Sequence, residues 1–146
     1  MNKRGFTLIE LLVVISIVGI LVGLSIFGLQ GARESSRDAK RKSDLELIRS
    51  GLEIYRSDCG LYPLGSAWNL EGALTGDGTS VNCSLSNVYI AEVPQDPLEP
   101  SQNYLYASPT GDAYELCTHL EQGEGQVTCG GATSCGETCN YKVISP

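Results

Sequence analysis

The chain has 146 residues, a net charge of −7 and six cysteines. With about thirty residues set aside in one apolar segment, that length leaves room for a single soluble domain with a small core. The acidic balance disfavours a protein that grips nucleic acid through its own surface.

From Phe6 to Leu29 the sequence is apolar, with Glu10 as its only charge. Twenty-four helical residues at about 1.5 Å each reach about 36 Å, more than a hydrocarbon core of about 30 Å. The segment is therefore long enough to cross a membrane. Lys3 and Arg4 would suit a signal peptide, but a signal's apolar core spans only about 7 to 15 residues and ends in a small-residue cleavage site. A carboxylate at this depth is costly unless something pairs with it. Gly19, Gly23, Gly28 and Gly31 would permit close helix approach in a bundle.

Gly5-Phe6-Thr7-Leu8-Ile9-Glu10, followed by Leu11-Leu12-Val13-Val14, resembles the prepilin motif of type IV pilins and type II secretion pseudopilins. The resemblance implies a leader at 1–5, cut between Gly5 and Phe6 by a membrane-embedded prepilin peptidase, and N-methylation of Phe6. It also implies that Glu10 neutralises the new amine of a neighbouring subunit during assembly.

Counting Lys and Arg around the span points the other way: two bases precede it and six follow within twenty residues of Leu29, whereas bases usually mark the cytoplasmic side. The cysteines, all beyond the span, and the prepilin motif place the C-terminal part outside. The expected location is the cytoplasmic membrane, single-pass, and then a cell-surface or periplasmic filament.

Beyond Leu29 the simplest reading is one long helix from about Phe6 to Asp58. It divides into a transmembrane or filament-core part at 6–29 and a soluble part at 30–58. Leu45, Ile48, Leu52 and Tyr55 define one apolar face that should hold the head, and Leu47 and Ile54 fall opposite. Arg33, Arg37, Lys40, Arg41 and Lys42 are interleaved with Glu34, Asp38 and Asp44, which reads as a solvated or salt-bridged face rather than a nucleic-acid surface. Cys59-Gly60 and Pro63 end the helix. The run Leu45 to Pro63 also resembles the helix end of G-type pseudopilins, and Tyr62-Pro63 and Val93-Pro94 with Asp96-Pro97 resemble the secretion subunit.

The stretch from Ser57 to Pro146, which takes in the head at 59–146, carries eleven acids against one base, Lys142. Leu64 to Leu85 reads as a loop and Val88 to Pro97 as a short apolar element. Asn103–Ser108 and Ala113–Leu120 alternate as strands across a turn at Pro109 to Asp112. Tyr104 and Tyr106 share one face, and Tyr114, Leu116, Thr118 and Leu120 another. Shorter strands are expected at Gln126–Cys129 and Asn140–Ile144. The fold class is α+β: a long N-terminal helix with a small antiparallel sheet laid on its C-terminal half.

Cys59, Cys83, Cys117, Cys129, Cys135 and Cys139 suit three disulfides that staple a thin core, with connectivity open among 15 arrangements. Zinc is disfavoured because paired C-x-x-C spacing is missing and the chain has one histidine, His119, which reads as a strand residue. No Ser/His/acid or Cys/His arrangement has supporting context, so no enzyme is expected. Asp96, Glu99 and Asp112, around the Pro-rich loop and hairpin, are the candidate ligands for a hard cation. The G-type resemblance implies calcium there, and a plain acidic surface is the preferred competing reading.

The leading function is a structural subunit that stacks with copies of itself and with other pilins or pseudopilins, driven by filament assembly machinery. A surface pilus and a secretion pseudopilus both remain open. The alternatives are a minor pilin that captures a ligand, and an unprocessed single-pass anchor carrying a disulfide domain.

Overall fold

The computed structural model describes residues 5–146, apart from the side chains at 26, 27 and 67–69. Most of the expected leader, including Lys3 and Arg4, lies outside the described residues. The elements are a helix α1 (Leu8–Cys59) and six strands: β1 (Gly65–Asn69), β2 (Leu74–Thr75), β3 (Val88–Ile90), β4 (Leu105–Ser108), β5 (Glu115–Thr118) and β6 (Tyr141–Ile144). The chain divides into two compact units, one ending at Ser36 and the other formed by Arg37–Pro146.

Helix α1 starts two residues later than the apolar run because Thr7 caps it. Its end follows glycine chemistry: Gly60 takes φ 84° and its N–H donates to Arg56 O at 2.8 Å, which satisfies a carbonyl left open by the last turn.

Within Arg37–Pro146 the main sheet runs β1-β4-β5-β6, antiparallel at every step, and β2 and β3 pair as a separate ribbon. Leu45, Ile48 and Leu52 are fully buried and share one core with Tyr62, Ile90, Tyr104, Tyr106, Tyr114 and Leu116. The 3.6-residue spacing thus lays one stripe of α1 into the head, while Leu47 and Ile54 stay exposed at 51% and 56%. Three of these buried tyrosines satisfy their hydroxyls on helix carboxylates, and Tyr106 donates to Pro63 O at 2.7 Å. Tyr104 donates to Asp44 at 2.9 Å, and Tyr62 and Tyr114 donate to Glu53 at 3.0 and 3.1 Å, as buried phenols require.

Several expected elements differ. Leu64 to Leu85 is not all loop but contains β1 and β2, because pairing with β4 and β3 supplies what its Gly- and Ser-rich composition does not. Gln126–Cys129 is not a strand: Val127 N–H donates to Cys139 O at 2.8 Å and Cys129 pairs only with Ala132 in an isolated bridge. His119 lies just past β5, with Nδ1 donating to Thr138 O at 2.7 Å.

The sheet is also covered on both faces. Leu105, Ala107 and Cys117 turn away from the helix-side core into a second one with Cys129, Cys135 and Cys139. Three disulfides define that architecture. Cys59–Cys83 fastens the end of α1 to the β2–β3 loop, Cys117–Cys129 ties β5 to the chain that follows it, and Cys135–Cys139 closes a short loop.

Candidate functional site

The N-terminal segment is built from a cap and a bare apolar surface. Thr7 Oγ1 donates to Glu10 Oε2 at 2.6 Å, Thr7 N–H donates to the same oxygen at 2.8 Å, and Glu10 N–H returns a bond to Thr7 Oγ1 at 3.3 Å. This is a reciprocal capping box, in which the two residues satisfy each other's orphan donors at the helix start. Phe6, Ile9, Glu10, Val13 and Val14 line one shallow concavity of about 330 Å³, so the carboxylate opens onto the same surface as the Phe6 ring. Among the described residues, no atom outside its chain neighbours comes within 4 Å of where a Cβ on Gly5 would stand.

Residues 5–25 are all exposed, and the most apolar window of α1 has a mean hydropathy of 2.8 with none of it buried. By length and composition this stretch can cross a membrane. Its polar side chains are compatible with that, since Ser16 and Ser25 donate to the carbonyls of Leu12 and Leu21 at 2.8 Å each and leave no hydroxyl hydrogen unsatisfied.

In the head, the proposed calcium ligands do not meet. Asp96 is buried, with its two oxygens taken by Arg41 Nε at 2.8 Å and Nη2 at 3.1 Å, and Leu98 N–H adds a further bond at 2.8 Å. Glu99 and Asp112 are exposed, and no described group of three ligand-type atoms within 4.8 Å includes any of the three. Calcium needs six to eight oxygens around one point, and Asp96, Glu99 and Asp112 do not supply them. The group of such atoms that does form among the described residues is Cys59, Asp77 and Cys83, whose two sulfurs are joined as a disulfide.

Arg41 is the centre instead. Its side chain is fully buried, and besides Asp96 its Nη1 donates to Asp38 Oδ1 and to Glu121 Oε1, both at 2.8 Å. Arg37 donates to Glu121 as well, through Nε at 2.6 Å and through Nη2. Asp38 also accepts the N–H groups of Glu121 and Gln122 at 2.9 Å each. The hydrogen bond from Arg37, reinforced by Arg41, pulls the Glu121 carboxyl down to about 2 despite partial burial. For Arg41 burial opposes the charge, but Asp96 and Glu121 outweigh it and raise the guanidinium above its ordinary value.

Residues 1–26 match the family model described as the prokaryotic N-terminal methylation motif, and residues 29–131 match the one described as type II secretion system (T2SS), protein G. The chain belongs to the type II secretion system protein G family. Similar proteins named type II secretion system core protein G occur in Escherichia coli (strain K12), 32% identical over 126 residues covering 84% of this chain and 85% of that protein, and in Vibrio cholerae serotype O1, 32% identical over 133 residues covering 85% and 87%. That of Pseudomonas aeruginosa is 30% identical over 127 residues, covering 84% and 88%. No solved structure matches the chain significantly.

Two residues of this protein G family member escaped the reading of its sequence. Thr7 carried a visible signal, since Thr-x-x-Glu ahead of an apolar run is the capping-box pattern. Arg41 carried none, because a base among alternating charges reads as a solvated helix face. The structure makes it the centre of a buried, salt-bridged one.

Proposed function

We propose that this protein G family member is a prepilin-like structural subunit of a type II secretion pseudopilus. In this reading residues 1–5 are a leader, 6–29 cross the cytoplasmic membrane and later form the filament core, 30–58 continue the helix, and 59–146 are the head outside the membrane. A prepilin peptidase cuts between Gly5 and Phe6 and Phe6 is N-methylated. The subunit then stacks with copies of itself and other pseudopilins under the action of assembly machinery. The chain acts by packing and not by catalysis.

The observation that carries the reading is an apolar helical surface, exposed from Phe6 to Ser25, with its one carboxylate, Glu10, near the Gly5-Phe6 end. An exposed apolar surface of this extent requires lipid or other copies to cover it. A carboxylate within it requires a cation. Before cleavage, Thr7 satisfies Glu10 within the chain. After cleavage, Phe6 gains an amine, and a neighbour shifted along the axis can bring its own amine against Glu10.

Glu10→Ala should preserve membrane insertion and cleavage after Gly5 while filament assembly falls strongly. Thr7→Ala, which weakens the cap but keeps the carboxylate, should still assemble. Filaments of normal abundance from cells carrying Glu10→Ala would refute the pairing.

A further inference from the structure

Asp96 is one of the three carboxylates expected as calcium ligands, and a guanidinium already holds it. We propose that the head carries its structural cation covalently, as Arg41, and that it folds without a divalent ion. This does not rest on the filament reading.

The three carboxylates around Arg41 come from three separate places: Asp38 from α1, Asp96 from the segment between β3 and β4, and Glu121 from the loop after β5. A cation set among acids from distant segments neutralises their repulsion and ties the segments together, as a bound hard cation does. Arg41 does both. Its planar fork grips Asp96 through two N–H groups, and Nη1 reaches Asp38 and Glu121, a geometry that a point cation does not share.

The cluster keeps one net negative charge. Asp38, Asp96 and Glu121 bring three negative charges, and Arg41 with Arg37 returns two positive ones. Part of the remaining acceptor capacity is met by neutral donors, the amides of Leu98 on Asp96 and of Glu121 and Gln122 on Asp38. A divalent ion would have to expel a fully buried guanidinium whose hydrogen bonds it could not replace, leaving that charge unpaired. Arg41 also remains protonated at every working pH. A head built this way keeps α1 tied to two loops whatever the ion content of its surroundings.

The test uses the full chain in detergent micelles, with the buried tyrosines of the head followed by near-ultraviolet circular dichroism during melting. The wild-type melting temperature should be the same in EDTA, in millimolar calcium and in millimolar magnesium. A rise of about 5 °C or more with calcium would mean an ion bound to the native head and would overturn the proposal.

Arg41→Ala leaves the buried Asp96 without its guanidinium. It should melt at least about 10 °C below wild type, since one partner of a buried cluster is gone, and calcium should not recover that loss, because Asp38, Asp96 and Glu121 do not bring three ligand oxygens within 4.8 Å of one another. An Arg41→Ala protein as stable as wild type, or one that calcium restores to the wild-type melting temperature, overturns the assignment. Arg41→Lys keeps the charge without the fork and guards against outright unfolding. It should melt between the other two and ignore calcium, whereas a wild-type melting temperature in Arg41→Lys would show that the fork is dispensable and overturn the proposal.

Discussion

The Arg41 guanidinium meets the Asp96 carboxylate edge to edge, with Nε 2.8 Å from Oδ2 and Nη2 3.1 Å from Oδ1, across a sequence separation of 55. The pair joins the middle of α1 to the segment ahead of β4 at a point from which water is excluded. A buried pair of this kind is weak evidence for net stability, but removing one partner is strongly destabilising because the other charge stays behind. Its worth therefore lies in fixing which parts of the chain meet.

Acid should loosen this cluster through Glu121. The folded pKa, about 2, lies below the ordinary 4.5, so the stabilisation from ionised Glu121 is complete above about pH 4.5 and fades as pH falls toward 2. Glu121→Gln removes that contribution at neutral pH and should show a shallower loss of melting temperature across the same window. Parallel pH profiles for the two proteins would show that Glu121 is not held by Arg37 and Arg41.

The disulfides should contribute unequally. Each is worth about 2 to 4 kcal/mol by constraining the unfolded chain, and more for a longer loop. Cys59–Cys83 closes a separation of 24 and Cys135–Cys139 one of 4, so the Cys59→Ser/Cys83→Ser pair should lower the melting temperature further than Cys135→Ser/Cys139→Ser. Thiol counting under denaturing, non-reducing conditions should find none free, and two or more per chain would contradict the pairing.

Gly51 is a second test of how α1 meets the head. In an exposed helix, Gly→Ala stabilises by about 1 kcal/mol. Here a Cβ on Gly51 would overlap Cγ1 and Cδ1 of Ile90 on β3, and overpacking of about 1 to 3 kcal/mol should win. Gly51→Ala should thus lower stability in the wild-type background and raise it in an Ile90→Ala background, where those atoms are gone. The same sign in both would show that the contact is not tight.

Much of this was legible in the sequence. The apolar stripe Leu45, Ile48, Leu52 and Tyr55 is local periodicity, and all four are buried at 0 to 3% exposure. The helix stop at Gly60 and the β4–β5 hairpin are likewise set by residues close to one another in the chain. What the sequence hid depends on distant partners. Gly65–Asn69 becomes a strand because β4 offers an edge to it, and Arg41 is buried because Asp96 and Glu121 arrive from 55 and 80 residues away. Likewise, Cys129, Cys135 and Cys139 cover the second face of the sheet, which no alternation within β4 or β5 could announce.

The central claim, that this chain is a processed filament subunit, is tested most directly by the intact mass of the protein extracted from the membranes of its own cells. The expected mass lacks residues 1–5 and carries one added methyl group, with fragmentation placing that methyl on the amine of Phe6. A mass that retains the leader, or a cut anywhere other than between Gly5 and Phe6, would contradict it.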